Sequence, residues 1–332
     1  MSDEIDFVIT WVDGNDSKWL NEKNKYLNVT GDSSSKRFRD FDILKYLFRS
    51  IEKYCPWVNK VHLITYGHLP KWININNSKL NIIKHKEYIP DKYLPTYNSN
   101  VLELNLHNIN ELSEKFVLFN DDIVITNKLE KEDFFVNNLP CDFLVEYIKQ
   151  NASKRHIVLR NNNLEILNKY FIKEITDRVL KNKKETSLNL FDKKFIKDII
   201  CNEHDKYNMY SDFLNIHLTQ SFCKSSFRKV WELENEKLDK SCYNRFRNDT
   251  DIGKNIVRNY TLLKGEFYPF KINGKYLTVA DKYEDIKNVV FDDLFKIICL
   301  NDTESNIDFE KTKNKLDEIF IEKFKDKSSF EL

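Results

Sequence analysis

Glycine and proline are scarce, six of each in 332 residues. Neither G-x-G-x-x-G nor G-x-x-x-x-G-K-[ST] occurs, so a glycine-rich phosphate loop is excluded as the means of holding an anion. The six cysteines, Cys55, Cys141, Cys201, Cys223, Cys242 and Cys299, form no C-x-x-C pair. Scattered this way in a chain of this size, they read as reduced thiols and not as a disulfide or zinc framework. No H-E-x-x-H and no nucleophile elbow are present, which removes the zincin and α/β-hydrolase readings. The start, "MSDEIDFVITWVDG", has no basic segment followed by a long apolar one, so no signal peptide is expected. No apolar run approaches the length of a membrane span. Net charge is only +1, so no basic field points to nucleic acid as a partner. A cytoplasmic protein is expected, with peripheral contact at the inner membrane face left open.

What is present is a folded chain. Hydrophobic residues make up 41% and charged residues 32%, with 24 Phe and 16 Tyr to fill a core. "IDFVITWVDGND" is a short apolar run that empties into a polar turn, the pattern of a buried strand and its exit. "KRFRDFDILKYLFRSIEKYCPWV" has helical spacing at Ile43, Leu44, Leu47, Phe48 and Ile51. "KVHLITYG", "LNIIKH" and "KFVLFNDDIVIT" are strand candidates. Between the last two, Leu102, Leu106, Ile109 and Leu112 keep helical spacing. This alternation predicts an α/β fold with a largely parallel sheet flanked by helices. Its ligands would gather at the carboxyl ends of the strands. Residues 1–149 would form the first part of the catalytic domain and 150–210 a Lys- and Asn-rich helical insertion. Residues 211–332 would complete the site. Around Lys181, Lys183 and Lys184 the insertion predicts a solvated face. Asn273-Gly274 predicts a β-hairpin, and "DDLFKIICLND" one more strand. The tail from Phe309 reads as a charged amphipathic helix and a short end.

The chemistry-bearing residues sit where strands should end. Asp121 and Asp122 interrupt an apolar run, where unpaired charge is costly unless a cation or hydrogen-bond donors offset it. Asp13, Asp16 and Asp302 lie at other predicted strand exits. Carboxylates in that setting suit a hard cation such as magnesium, which also takes phosphate oxygens. Arg37, Arg39, Arg49, Arg245 and Arg247 offer the planar fork that matches phosphate. His217 in "LNIHLTQSF" could accept a proton near neutral pH. The residues alone point to a metal-using enzyme acting on an anionic, nucleotide-linked substrate.

Taken together these stretches resemble the Stealth family of sugar-phosphate transferases. "DFVITWVDGND" resembles its first block. "RFRDFDILKYLFRSIEKYCPWVNKVHLIT", "LPTYNSNVLELNLHNI" and "LSEKFVLFNDD" resemble the second. "HLTQSF" with "RFRNDTD" resembles the third, although Thr219 stands where the family often has proline. "ICLND" with "FKDKSSFEL" resembles the fourth. The resemblance implies a Rossmann-like, GT-A-like sheet. It also implies transfer of an intact hexose-1-phosphate from a UDP-sugar donor to an oligosaccharide or lipid-linked saccharide acceptor, in capsule or exopolysaccharide synthesis. Asp121, Asp122 and Asp302 would hold magnesium, or manganese in its place. Arg39, Arg49 and Arg247 would hold phosphate, with Asp251 as the acidic partner of Arg247. Asp13 and Asn15 would serve the nucleotide, and His217 or Glu103 would take the acceptor proton. The rival readings are a metal-dependent glycosyltransferase that releases UDP and an inactive sugar-nucleotide-binding protein.

Overall fold

The computed structural model describes residues 3–28, 31–33, 38–147, 154–199, 208–302 and 307–332. Arg37 and Cys201 lie outside the described residues. The strands are β1 (Ile5–Thr10), β2 (Val61–Thr65), β3 (Leu80–Lys84), β4 (Lys115–Asn120), β5 (Ile123–Ile125), β6 (Phe135–Val136), β7 (Leu139–Asp142), β8 (Gln220–Cys223), β9 (Tyr268–Pro269), β10 (Gly274–Thr278) and β11 (Ile297–Asn301). The α-helices are α1 (Ser17–Asn24), α2 (Leu44–Tyr54), α3 (His85–Tyr88), α4 (Ser99–Leu104), α5 (Lys154–Tyr170), α6 (Lys173–Leu188), α7 (Lys193–Ile199), α8 (Lys224–Cys242), α9 (Asn255–Leu263), α10 (Tyr283–Phe291) and α11 (Phe309–Lys323).

The central sheet has the order β3-β2-β1-β4-β8, with β3, β2, β1 and β4 parallel and β8 antiparallel at the edge. Its inner strands are buried on both faces, which is why they appear in the sequence as continuous apolar runs. One face carries Leu47, Phe48 and Ile51 of α2 against Phe7, Leu63 and Phe119. The other carries Phe227 and Val230 of α8 and Ile256 of α9 against Val8, Phe116 and Leu118. The expected α/β architecture is therefore present. The order reverses beside β1: the chain builds β2 and β3 on one flank, then returns to place β4 on the other. Such a reversal opens a crevice at the carboxyl ends of the two strands. Here the register pairs Thr10 with Asn120. Asp13 and the Asp121–Asp122 doublet follow directly, and so share one crevice.

Three sequence expectations change. "KFVLFNDDIVIT" is not one strand, because the chain turns at the doublet and β5 joins a second sheet, β10-β11-β5. Asn273-Gly274 is not a hairpin turn: β10 pairs in parallel with β11, and β9 pairs with β7. Gly274 is needed for close approach, since a Cβ there would lie 2.3 Å from Leu218 Cδ1 and 2.8 Å from the Ile297 carbonyl oxygen. The long helix expected over Leu102–Leu112 stops at Leu104, where the Asn105 amide turns back to the Val101 carbonyl at 2.8 Å. The middle of the chain is helical as expected, in α5, α6 and α7. Its lysines are not simply a solvated face, however. Lys183 donates to the carbonyls of Gly265 and Phe267, and Lys184 pairs with Asp177.

Candidate active site

The doublet sits half-buried in the turn between two sheets. β4 delivers Asn120 to the end of the central sheet, and β5 is drawn away by pairing with β11. The turn between them therefore projects into the crevice. The Leu300 backbone N–H donates to the Asp122 carbonyl at 2.8 Å. This holds β11, and the residues that follow it, against the doublet.

Among the described residues no lysine or arginine forms an ion pair with Asp121 or Asp122. Burial, followed by repulsion from Asp122 and Asp40, raises the Asp121 carboxyl well above its ordinary range. Burial likewise raises Asp122, against the opposing influence of His217 and of the nearby Cys299 thiol. Asp122 Oδ1 is buried and has no hydrogen-bond partner. One carboxylate oxygen left open among three clustered acids is what a hard divalent cation would satisfy. The residues present fit such an ion, with Asp121 and Asp122 as oxygen ligands. Asp122, His217 and Cys299 also place ligand atoms within 4.8 Å of one another. Burial and Asp122 push the Cys299 thiol far up, so it acts as a protonated donor and not as a thiolate.

His217 is bound into the same cluster. Asn301 Nδ2 lies 3.0 Å from His217 Nε2 and 3.4 Å from Asp122 Oδ2, so one amide bridges the imidazole and the carboxylate. The backbone at His217 has φ 53°, a left-handed conformation that few non-glycine residues adopt. Asn215 Oδ1 supports that turn by accepting from the His217 N–H at 2.8 Å. The residue is exposed at the mouth, yet its ring lies close enough to the pocket wall for desolvation to hold its pKa below the ordinary value. Asp122 pulls in the other direction. A neutral imidazole is thus the resting form at neutral pH.

Cations approach from the α4 and α9 side. Lys254, just before α9, pairs with Glu103 at 2.8 Å, and Arg247 donates to Ser99 Oγ at 2.6 Å. Glu103, Lys254 and Arg247 all act electrostatically on His217, so they lie near it. Glu103 is buried, and its carboxylate is taken up by Lys254. His217 is therefore the better placed of the two expected proton acceptors.

The remaining expected residues fall into three groups. Asp13 and Asn15 lie at the exit of β1, where Asp13 Oδ1 accepts from the Asn15 N–H at 2.8 Å and the Asp13 N–H donates to His68 Nε2 at 2.7 Å. Asp16 is the N-cap of α1. Gly14 lets the segment carrying Arg39 and Asp40 approach, because a Cβ there would lie 2.0 Å from the Phe38 carbonyl oxygen. Arg39 and Asp302 hold each other in a two-pronged pair at 2.7 Å per bond. They form one rim of the crevice, and Asp302 faces a guanidinium instead of an open cation position. Arg49 and Asp251 do not face the crevice. Arg49 grips Glu331 with two bonds of 2.8 and 2.7 Å and reaches the Phe324 carbonyl, tying the tail to α2. Asp251, 1% exposed, accepts from the amides of Asn98, Asn100 and Asn244. It is a buried fastening for the loops that carry Arg247 and α4, and in this structure protein groups occupy both Arg49 and Asp251. Arg245 stacks on Tyr26 and donates to the Pro95 carbonyl. Sequence reading gave no role to Lys254, Asn301, Cys299 or Asp40, although Asp40, Cys299 and Asn301 lie inside the stretches that carry the family resemblance.

Residues 3–28 match the region described as Stealth protein CR1, conserved region 1, and residues 37–142 match Stealth protein CR2, conserved region 2. A capsular polysaccharide phosphotransferase of Streptococcus pneumoniae, WcwK, is 40% identical over 99% of this chain and 98% of its own. An exopolysaccharide phosphotransferase of Lactiplantibacillus plantarum, cps2G, is 36% identical over 99% and 96%. A receptor polysaccharide phosphotransferase of Streptococcus oralis, WefC, is 32% identical over 99% of both chains. Among solved structures, the galactosyltransferase LgtC in complex with donor and acceptor sugar analogues is 10% identical, covering 94% of this chain and 95% of that one, with a TM-score of 0.40. The two matched regions contain Asp13, Asn15, Arg39, Glu103, Asp121 and Asp122, and likeness to the phosphotransferases runs through the whole chain: the protein belongs to the Stealth family.

Proposed function

We propose that the protein transfers a sugar-1-phosphate from a UDP-sugar to a hydroxyl of a saccharide acceptor, in the synthesis of a capsule or another surface polysaccharide. The observation that carries this reading is the unpaired Asp121–Asp122 doublet at the switch point of a parallel sheet, joined through Asn301 to a neutral histidine. Names of full-length relatives, capsular and exopolysaccharide phosphotransferases, support the reaction class.

Magnesium, or manganese in its place, would be held by Asp121 and Asp122, and when bound supplies positive charge to the diphosphate. The chain's own residues do the rest. Arg247 and Lys254 would put cationic groups near His217, where they could offset charge that builds as the diphosphate is cleaved. His217 accepts the proton of the acceptor hydroxyl as its oxygen attacks the β-phosphorus. The bond from that phosphorus to the bridging oxygen breaks, and UMP leaves with the bonding pair. The sugar C1–O bond is untouched, so the anomeric configuration is retained. Asn301, whose amide Nδ2 occupies His217 Nε2 in this structure, holds the histidine beside the doublet until the acceptor hydroxyl takes its place, and positioning of this kind is the larger part of catalysis in phosphoryl transfer.

Among the described residues no helix is long and apolar enough to cross a membrane. A lipid-linked acceptor would therefore be met at the surface of the membrane. The test is a reaction of the purified protein with a UDP-hexose, magnesium and an oligosaccharide, followed by phosphorus NMR of the saccharide product. A phosphodiester resonance that disappears with EDTA and returns with magnesium or manganese is expected. A saccharide product that carries no phosphorus would refute the proposal.

A further inference from the structure

The exits of β2 and β3 carry a second polar cluster that the reaction above does not use. His85, the first residue after β3, is 4% exposed, and neither of its ring nitrogens has a partner. His68, three residues beyond β2, has an unpartnered Nδ1. Its Nε2 accepts from the Asp13 N–H at 2.7 Å, so its proton sits on Nδ1 and that nitrogen is a donor. Asp16 Oδ1 is 3.8 Å from Nδ1, beyond hydrogen-bond reach. Both rings pack on Tyr66, at centroid distances of 6.3 and 5.7 Å. Burial, reinforced by His68, depresses the His85 pKa to about 3, so its ring is neutral and offers one donor and one acceptor.

Each unsatisfied buried polar group costs about 1–3 kcal/mol. A histidine bearing two of them is a poor choice for a core, and Phe or Leu would fill the same space without that cost. The position is informative too. β3, β2, β1 and β4 follow one another across the sheet at about 4.8 Å per step. The cluster thus lies on the same carboxyl edge as the doublet, on the far side of Asp13, and a bound nucleotide would span the interval. No lysine or arginine pairs with either histidine among the described residues. The groups on offer are neutral donors and acceptors against an aromatic ring, which suits a base and not a phosphate.

We propose that His68 and His85 read the base of the donor nucleotide, a uracil whose carbonyl, N–H, carbonyl edge complements them. The inference rests on the nucleotide-donor reading above. His68 Nδ1–H donates to the 4-carbonyl. His85 accepts from the imide N–H with one nitrogen, and its other nitrogen donates to a carbonyl or to water. Cytosine would turn an amino group toward the His68 donor and would lack the imide N–H, so discrimination follows from the fixed proton.

The experiment is calorimetric titration of the full chain with UDP and with CDP in the presence of magnesium, on wild type, His85→Phe and His68→Ala. Wild type is expected to bind UDP at least about tenfold more tightly than CDP, the ratio that corresponds to one lost hydrogen bond. His85→Phe should lose at least about tenfold in UDP affinity, while its melting temperature without ligand stays equal or rises, because the orphaned groups are gone. His68→Ala, at a more open position, should bring the UDP and CDP affinities together. UDP affinity unchanged in His85→Phe would make the histidine a water-solvated core residue and overturn the inference, leaving the donor reading intact. Equal wild-type affinities for UDP and CDP would also overturn it. If wild type binds neither nucleotide, the donor reading itself fails.

Discussion

Asp122 presents a buried carboxylate oxygen without a partner, next to a second acid whose proton affinity is raised by burial and by its neighbours. This is stored unfavourable electrostatics, and it has a testable signature. Asp122→Asn is expected to lower turnover by about a thousandfold or more. Its ligand-free melting temperature should stay at or above wild type, since repulsion within the acid cluster is relieved. An Asp122→Asn protein with near-normal turnover would show that the doublet is structural. His217 gives the complementary case. His217→Ala should lose about a hundredfold to ten-thousandfold in turnover with little change in stability, as befits an exposed general base. Glu103→Gln should cost less in turnover and more in melting temperature, because it strands Lys254 beside a neutral amide. The reverse ranking in a steady-state assay would move the base to Glu103.

At the scale of elements, the tail is part of the catalytic domain's frame. Arg49 on α2 and Glu331, 282 positions later, form a pair whose side chains are only 11% and 4% exposed. Burial alone would raise the Glu331 pKa, but hydrogen bonds from Arg49 and Ser328 outweigh it and hold the carboxyl below its usual range. Arg49→Met leaves that carboxylate buried and uncompensated, and should destabilise the fold by about 3–5 kcal/mol in denaturant titration. Turnover per folded molecule should remain near wild type, which separates a fastening from a phosphate clamp. The same example shows what a sequence conceals. β1, α2, β2 and β3 are legible because strands buried on both faces are written as apolar runs and α2 as a 3.6-residue stripe. Arg49 could not be told from a ligand-binding arginine, because its partner stands 282 residues away. The split of "KFVLFNDDIVIT" is equally hidden, since only the distant β11 draws β5 out of line. Lys254 lies in a short loop with no motif, and tertiary contact alone brings it to Glu103. Asp121, Asp122 and Asp13 stood out because polar residues breaking apolar runs at strand exits carry a cost that needs a reason, whereas His217 stood out only for its ring chemistry in an apolar stretch.

For the whole molecule, the sheet and its crevice depend on one buried hub. Asp6 opens β1 and accepts from Asn59 Nδ2 at 2.8 Å, the Lys60 N–H at 3.2 Å and the Ser113 N–H at 2.7 Å, with His62 Nε2 3.0 Å away. It thereby joins β1 to the segments that lead into β2 and β4. Burial would raise its pKa, but the bonds from His62 and Ser113, with the attraction of His62, lower it below the ordinary 3.8. A carboxyl lowered in the fold binds protons more readily when unfolded, so it stabilises the protein above about pH 4 and ceases to do so as pH falls through its lowered value. Asp6→Asn should therefore melt well below wild type at pH 7, and the gap should narrow as pH drops below about 4. A gap independent of pH from 7 to 3 would mean that the charge of Asp6 is not what holds the hub together. The reaction is defined by which bond of the donor breaks. The most direct measurement is identification of the nucleotide released when the protein turns over a UDP-sugar with magnesium and a saccharide acceptor. UMP is expected, in amounts equal to the phosphodiester formed; release of UDP would mean cleavage at the sugar C1–O bond and would rule out transfer of the sugar phosphate.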